Sequence, residues 1–302
     1  MHELLVGDVS IGWKPHVRNT NTHVMNITNL RATRMGSHAH RYLSEASRIG
    51  TVISAFRHGF NVQFNGDSDP AVVSIQTANV PLHPWAVEVE AVGRVRTNHL
   101  AVADSKQIRF SPCEVILDLS NAQFCELTIP PLSDNGANLT QERMPLIEAA
   151  LRTERRSRPS DPFQFQIDAI LERWRETDDS AKLVALLGLG SGSTPSGDDV
   201  LVGLLAGLTA FEAVSRKAAE HLSRLRRALR TDTRQSTTHP SRQMIDASCD
   251  NSFPEPVCNL LQTLALAESH RSQIESASAN VLSLGALSGA AIASGLLAAS
   301  VV

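Results

Sequence analysis

A glycine-rich loop between Gly188 and Asp199, with the sequence GLGSGSTPSGDD, holds the residues best suited to chemistry. Glycine permits left-handed backbone and the close approach of a ligand. Successive amides that run into the N-terminus of a helix form a ready site for a phosphate or carboxylate. The loop therefore predicts a binding site for a small anion. The residues expected to contact it are Gly190, Ser191, Gly192, Ser193, Thr194, Ser196 and Gly197.

Two adjacent carboxylates, Asp198 and Asp199, end this loop and open a predicted helix. Acidic residues in the first helical turn suit the helix dipole, and Ser196 followed by Asp199 resembles a capping box. Capping would account for Asp199 but leaves Asp198 unexplained. The alternative is that both aspartates are catalytic, for example by accepting a proton from an amide-type substrate. Asp198 is also the candidate ligand for a divalent cation such as Mg²⁺.

The loop lacks the signatures of several well-known sites. No lysine follows the glycines as in a Walker loop, and the third glycine of the dinucleotide-binding fingerprint is replaced by Ser193. No serine in the segment occupies the Gly-x-Ser-x-Gly frame of a nucleophile elbow. The predicted anion site therefore belongs to another class.

The hydrophobic pattern before the loop predicts a β-rich N-terminal domain, either a small sandwich or a partly open barrel. Short segments rich in Val, Ile and Phe are separated by turn residues. The expected strands are Thr51–Phe56, Phe60–Phe64, Ala71–Gln76, Ala86–Val92 and Val115–Leu119, with a helix near Tyr42–Ile49. Arg57 follows the first of these strands, and we expect it to reach a cleft between domains.

From Phe163 onward the apolar residues recur at helical spacing. Val200 to Phe211 is apolar nearly all round, which predicts a buried helix. Prolines between residues 130 and 162 predict a connector with a short helix over Leu146–Arg152. We therefore expect an α+β chain with a β-rich domain over residues 1–145 and an α-helical domain over 146–302. Further helices are expected at Ala218–Arg230, Ser241–Ala247, Pro256–Glu268 and Ile274–Leu284.

An internal echo relates Ser196–Ala206 to Ser288–Ala298. Both segments begin with Ser-Gly and end with Gly-Leu-Leu-Ala. One interpretation is two equivalent helices that pack through their small residues with their N-termini close together. The alternative is a chance match between two segments that are both rich in Gly, Ala, Ser and Leu.

Composition excludes several classes of partner. Lys plus Arg is 28 and Asp plus Glu is 31, so the net charge of −3 argues against nucleic-acid binding. The arginines between Arg224 and Arg230 have no interleaved aromatic residues, which favours a solvated helix face. The uncharged stretch Val281–Val302 is mostly Gly, Ala and Ser, which favours a buried helix over a membrane anchor. Four cysteines without CxxC spacing, and an N-terminus without signal-peptide features, predict a cytoplasmic protein.

The segment from Gly188 to Leu208 resembles the signature of a bacterial family of uncharacterised domains. One member is a subunit of oxamate carbamoyltransferase, an enzyme of anaerobic allantoin degradation. The family pattern is Gly-Leu-Gly-x-Gly-Leu-Thr-Pro-Ser-Gly-Asp-Asp, and the chain departs from it at Ser193, where leucine is usual. Residues 238–256 and 284–295 resemble later segments of the family. Ala290-Ala291 stands where members often carry Trp-Asp, so any role of that aspartate is missing or moved.

The resemblance implies a component of a carbamoyltransferase. Its substrates would be small anions: a ureido acid such as oxalurate plus phosphate, giving an oxamate-like product and carbamoyl phosphate. In that hypothesis the glycine loop binds the anion, Asp198 positions the carbamoyl group or a metal, and Arg57 neutralises a second anionic group. Other carbamoyltransferase subunits would be partners. The alternatives are a non-catalytic scaffold subunit and a stand-alone regulatory protein that binds a small anion.

Overall fold

The first half of the chain forms a β-barrel in the computed structural model, which describes residues 28–66, 70–157 and 161–300 apart from the side chains of 232–235. Its strands pair in the order β5-β4-β3-β2-β6-β7-β8-β1, and antiparallel pairing of β1 with β5 closes the ring. The strands are β1 (Thr28–Gly36), β2 (Arg48–Phe56), β3 (Gly59–Phe64), β4 (Ala71–Thr77), β5 (Ala86–Val89), β6 (Leu100–Ala103), β7 (Gln107–Ser111), β8 (Val115–Asp118) and β9 (Gln123–Cys125).

The barrel interior is filled by apolar side chains that alternate along the strands, among them Phe60, Ile75 and Phe110. Helix α1 (Ser37–Glu45) contributes Ala39 and Leu43 to the same core. Strand β9 pairs in parallel with the end of β1, outside the ring. Of the two architectures that the sequence left open, the sandwich is wrong, and the barrel is closed instead of partly open.

All five predicted strands are confirmed, although their ends differ by a few residues. The helix expected near Tyr42–Ile49 begins earlier, at Ser37, and β2 already starts at Arg48. Strands β1, β6, β7 and β9 were not predicted. β1 alternates buried positions with Arg31 and Arg34, and β9 has three residues, so neither shows a run of β-branched residues.

The second half is helical, which confirms the α+β fold class. A 3₁₀ segment, Ser180–Leu186, leads into the glycine loop. The helices are α2 (Asp134–Ser157), α3 (Gln164–Thr177), α4 (Ser196–Phe211), α5 (Arg216–Ser236), α6 (His239–Cys249), α7 (Glu255–Ala265), α8 (Arg271–Leu282) and α9 (Ser288–Ala299). Within the described ranges, no helix is long and apolar enough to cross a membrane.

The predicted connector over residues 130–162 is largely wrong. Helix α2 runs for 24 residues and contains Pro145, so it also crosses the position at which the first domain was expected to end. Proline removes one backbone hydrogen bond from a helix interior. Burial of Met144, Ile147 and Leu151 in the helical core offsets that loss, since each side chain removed from water contributes about 1.5–3 kcal/mol.

Helices α4 and α9 pack in parallel with their backbones in contact. A Cβ atom on Gly203 would overlap the carbonyl oxygen of Ile292, and one on Gly295 would overlap that of Val200. Gly203 and Gly295 occupy equivalent positions of the internal echo, seven residues after Ser196 and Ser288. The interpretation of the echo as two packed equivalent helices is therefore confirmed, and it brings both Ser-Gly N-termini to the same end of the core.

Candidate functional site

The glycine loop lies where the N-termini of α4 and α9 meet. Thr194 precedes α4, Ser288 is the first residue of α9, and their hydroxyl oxygens are 3.2 Å apart. Because the helices are parallel, the positive ends of their dipoles converge at this point. The sequence echo is the signal that points to Ser288, although the site prediction did not include this residue.

Asp198 ties three segments of the chain together. Its Oδ1 accepts a hydrogen bond from the Gly188 amide (2.8 Å), and its Oδ2 accepts from the hydroxyls of Ser241 (2.7 Å) and Thr237. The residue is 1% exposed, and burial raises its pKa while these three bonds oppose the rise. Both oxygens are thus engaged within the protein, which makes Asp198 a residue that positions the loop.

Asp199 is the second buried carboxyl group of the site. It is 6% exposed, and no described residue makes a hydrogen bond to its buried Oδ2. Burial raises its pKa to about 8, the charge of Asp198 adds to the rise, and the hydroxyls of Ser288 and Thr194 oppose it. At neutral pH Asp199 is therefore mainly the neutral acid, able to donate a proton.

The predicted capping box is wrong. The N-cap of α4 is Pro195, and no side chain caps the helix there. Asp199 instead lies next to hydroxyl groups of the loop and of α9. Helix capping therefore does not explain a carboxyl group at this position, where its burial costs stability.

The loop divides into a packed part and an exposed tip. Gly190 has φ 138°, and a Cβ there would lie 2.5 Å from the amide nitrogen of Ser196. The amide of Gly197 donates to the carbonyl of Leu189 (2.7 Å). Ser196 and Gly197 are buried, whereas Ser191, Gly192 and Ser193 are exposed. Of the loop residues predicted to bind an anion, these three are exposed, and Gly190 and Thr194 are half-buried.

The threonines before α6 support the loop from the other side. Thr238 caps α6 by accepting from the Ser241 amide (3.3 Å), as the run of hydroxyl residues suggests, and it also donates to the carbonyl of Ser193 (2.5 Å). The contacts of Thr237 and Ser241 with Asp198 were not foreseen. The signal was the hydroxyl run itself, whose partner lies about 40 residues away in the chain.

Arg57 is a surface residue of the barrel. It is exposed in the turn between β2 and β3. The helical half touches the barrel near Val72, whose amide donates to Gln243 Oε1 (2.8 Å). Val72 pairs with Gln63, four residues beyond Gly59, so the turn and this contact are about 13 Å apart along β3. No contact between Arg57 and the loop is seen among the described residues.

The surroundings of Asp198 do not fit a resident cation. Gly188, Ser241 and Thr237 already donate hydrogen bonds to its two oxygens and use three of about four lone pairs, so a metal would have to displace them. No group of three or more His, Cys, Asp or Glu side chains in the described ranges is arranged to hold a metal.

A chain of Ser180, His221 and Asp178 has the composition of a hydrolase triad. His221 Nδ1 is 2.7 Å from Ser180 Oγ, and its Nε2 is 3.1 Å from Asp178 Oδ1. Ser180 is 0% exposed, however, so no substrate can reach its hydroxyl. These hydrogen bonds instead connect the end of α3 to α5, and the three side chains do not form a second active site.

The family model described as oxamate carbamoyltransferase subunit AllH matches residues 186–300. The matched part runs from the end of the 3₁₀ segment to just beyond α9, so it contains the loop, both aspartates and Ser288, and it excludes the barrel. No curated protein and no solved structure matched the chain. The match confirms the suspected family for the C-terminal part of the chain, where residues 186–300 are similar to the AllH subunit of oxamate carbamoyltransferase.

Proposed function

We propose that this chain is a carbamoyltransferase subunit and that its ligand binds where α4 and α9 begin. The observation that carries the proposal is Asp199, a buried acid with an unpartnered oxygen beside Thr194 and Ser288. The family match covers this whole arrangement. Reactants of the proposed class are a ureido acid such as oxalurate, phosphate and carbamoyl phosphate, all of them small anions.

The site offers what such anions require. Two helix N-termini favour negative charge, each by about 0.3–1 kcal/mol when exposed and more when partly buried. The exposed amides from Ser191 to Ser193 can surround a phosphate or carboxylate, and the Thr194 and Ser288 hydroxyls can donate to it. Arg57 has no part in this proposal because it lies elsewhere on the barrel.

Asp199 would supply the proton that the transfer needs. An oxygen of hydrogen phosphate attacks the carbonyl carbon of the ureido acid's terminal carbamoyl group, and the bond from that carbon to the inner nitrogen breaks. Protonated Asp199 gives its proton to the departing nitrogen and regains one from the phosphate. Oxalurate and hydrogen phosphate thus become oxamate and carbamoyl phosphate. A pKa near 8 suits this role at neutral pH.

One observation favours a scaffold subunit as the second candidate. The Oδ2 atom of Asp199 is shut off from solvent, so the loop tip must move before a ligand can reach it. Ligand binding separates the two functions, because a scaffold needs no anion at this loop.

The test is the melting temperature of the purified chain with carbamoyl phosphate, phosphate or oxalurate. Saturating ligand at 100 times its dissociation constant should stabilise the fold by about 2.7 kcal/mol. S193D puts a negative charge at the exposed loop tip and should abolish the shift. S276D, on the exposed face of α8, adds the same charge elsewhere and should preserve it. If no ligand shifts the wild type, or S276D acts like S193D, the proposed site is wrong.

A further inference from the structure

A cleft along α5 is lined by three arginines and lies apart from the glycine loop. It has a volume of about 690 Å³ and is bounded by α5, by Glu212 after α4, and by Cys249 at the end of α6. Arg226, Arg227 and Arg230 line it together with Thr231, whose hydroxyl donates to the carbonyl of Arg227 (3.0 Å). The net charge of the chain is negative, so an arginine cluster at a cavity is a local feature of this helix.

The three arginines differ in how far the protein uses them. Arg226 Nη2 donates to Thr209 Oγ1 (3.3 Å) and its Nη1 is 3.7 Å from Glu212, but its buried Nε has no partner among the described residues. Arg230 pairs with Asp250 (2.8 Å). Arg227 is exposed and forms no ion pair within the described part of the chain.

Two acidic groups around the cleft already form ion pairs with its arginines. Glu212 faces Arg226 and Asp250 faces Arg230, and Asp246 lies near Cys249 at the rim. Net charge therefore does not define the cleft. Its distinguishing feature is a set of guanidinium groups with paired N–H donors at one cavity, of which that of Arg227 forms no ion pair with the described residues. Guanidinium groups bind tetrahedral oxyanions through such paired donors.

We propose that this cleft binds a phosphate-type oxyanion, at a site separate from the one at the glycine loop. The two sites are physically linked. Helix α5 ends at Ser236, and Thr237 donates to Asp198, so Thr231 lies about 9 Å along the helix from the contact that holds the loop. The inference does not depend on carbamoyl transfer.

Binding of inorganic phosphate and pyrophosphate, measured by isothermal titration at constant ionic strength, tests the proposal. R227Q removes an exposed arginine of the cleft that forms no ion pair with any described residue. R226K keeps the charge but removes the planar fork of the guanidinium group. R216Q is the matched control, because Arg216 lies on the same helix, is 94% exposed, pairs with Glu220 and is outside the cleft.

We expect R227Q and R226K each to weaken binding about tenfold, as is typical for the loss of one charged hydrogen-bonding group. R216Q should change it by less than about twofold because exposed charges are screened. Binding should persist in S193D, and hydrogen exchange should slow in peptides from α5. The inference fails if neither probe binds saturably, if R216Q matches R227Q, or if S193D alone abolishes binding. In that last case the loop site stands and this one does not.

Discussion

Gly203 and Gly295 face each other across the contact between α4 and α9, each leaving the space that a backbone carbonyl of the other helix occupies. The carbonyl that fills the space at Gly203 belongs to Ile292, and the one at Gly295 belongs to Val200. This reciprocal fit sets how closely the helices approach, and hence how closely Thr194 and Ser288 meet at their N-termini.

G203A is expected to lower the free energy of unfolding by about 1–3 kcal/mol or more, because the added methyl group has no space beside the Ile292 carbonyl. G136A is the matched control. A Cβ at Gly136 would lie 3.4 Å or more from its neighbours, and alanine favours helix over glycine by up to about 1 kcal/mol. Urea unfolding measures both. A G203A protein as stable as wild type would contradict the close packing described here.

The two aspartates should respond in opposite ways to the same substitution. In D198N the side-chain NH₂ group faces either the hydroxyls of Ser241 and Thr237 or the amide of Gly188, all of which donate to the carboxylate in the wild type. The substitution therefore loses hydrogen bonds and should destabilise the protein by about 1–3 kcal/mol. D199N replaces a neutral acid with a neutral group of the same shape, so stability near pH 4 should change by less than about 1 kcal/mol. At pH 7 D199N should be more stable than wild type, because Asp199 is ionised in the unfolded chain and neutral in the fold.

Hydrogen exchange in the loop distinguishes the two aspartates further. Exchange of the Gly188 amide should accelerate in D198N and stay slow in D199N, because only Asp198 accepts from it. Equal acceleration in both variants would show that Asp198 does not hold the loop specifically.

A structural feature could be predicted from the sequence when residues close together in the chain determine it. Strands β2 to β5 and the buried helix α4 follow from runs of apolar residues, and the pairing of α4 with α9 follows from a repeat visible in the sequence. Closure of the barrel does not follow, because it depends on β1, whose exposed arginines interrupt the apolar pattern. The prediction for α2 was wrong because Pro145 locally disfavours a helix, whereas burial of the helix against the core outweighs that preference.

The candidate site was predicted in part for the same reason. Glycines and hydroxyls within one loop predict an anion site from residues that are close in the sequence. The different hydrogen-bond partners of Asp198 and Asp199 could not be deduced from the sequence. Asp198 contacts Ser241 and Thr237, and Asp199 lies beside Ser288, and these partners are about 40 to 90 residues away in the chain. The capping box failed because the buried side chain of Asp199 lies next to hydroxyls of the loop and of α9.

Titration of Asp199 should make the protein less stable as pH rises. Its pKa is near 3.9 in the unfolded chain and about 8 in the fold, so between these values the unfolded state has lost the proton and the folded state retains it. Unfolding free energy should therefore fall by at most about 1.4 kcal/mol per pH unit from about pH 4 to pH 8, and level off above.

D199N isolates that contribution, because asparagine does not titrate. The difference in unfolding free energy between wild type and D199N should shift in favour of D199N as pH rises from 5 to 8. A difference that stays constant over this range would show that Asp199 ionises with an ordinary pKa, and it would remove the basis for using it as an acid at neutral pH.

Catalysis gives the last prediction, and it separates an active subunit from a scaffold. In an enzyme reconstituted with its partner subunits, D199N should lower turnover about 10²–10⁴-fold, the usual contribution of a positioned acid. Carbamoyl phosphate should still shift the melting temperature, since asparagine fills the same space and the helix N-termini are intact. D168N, an exposed aspartate on α3, is the matched control and should keep full activity. Full turnover in D199N, with the protein folded and assembled, would move the chemistry to another subunit and leave this chain as the scaffold.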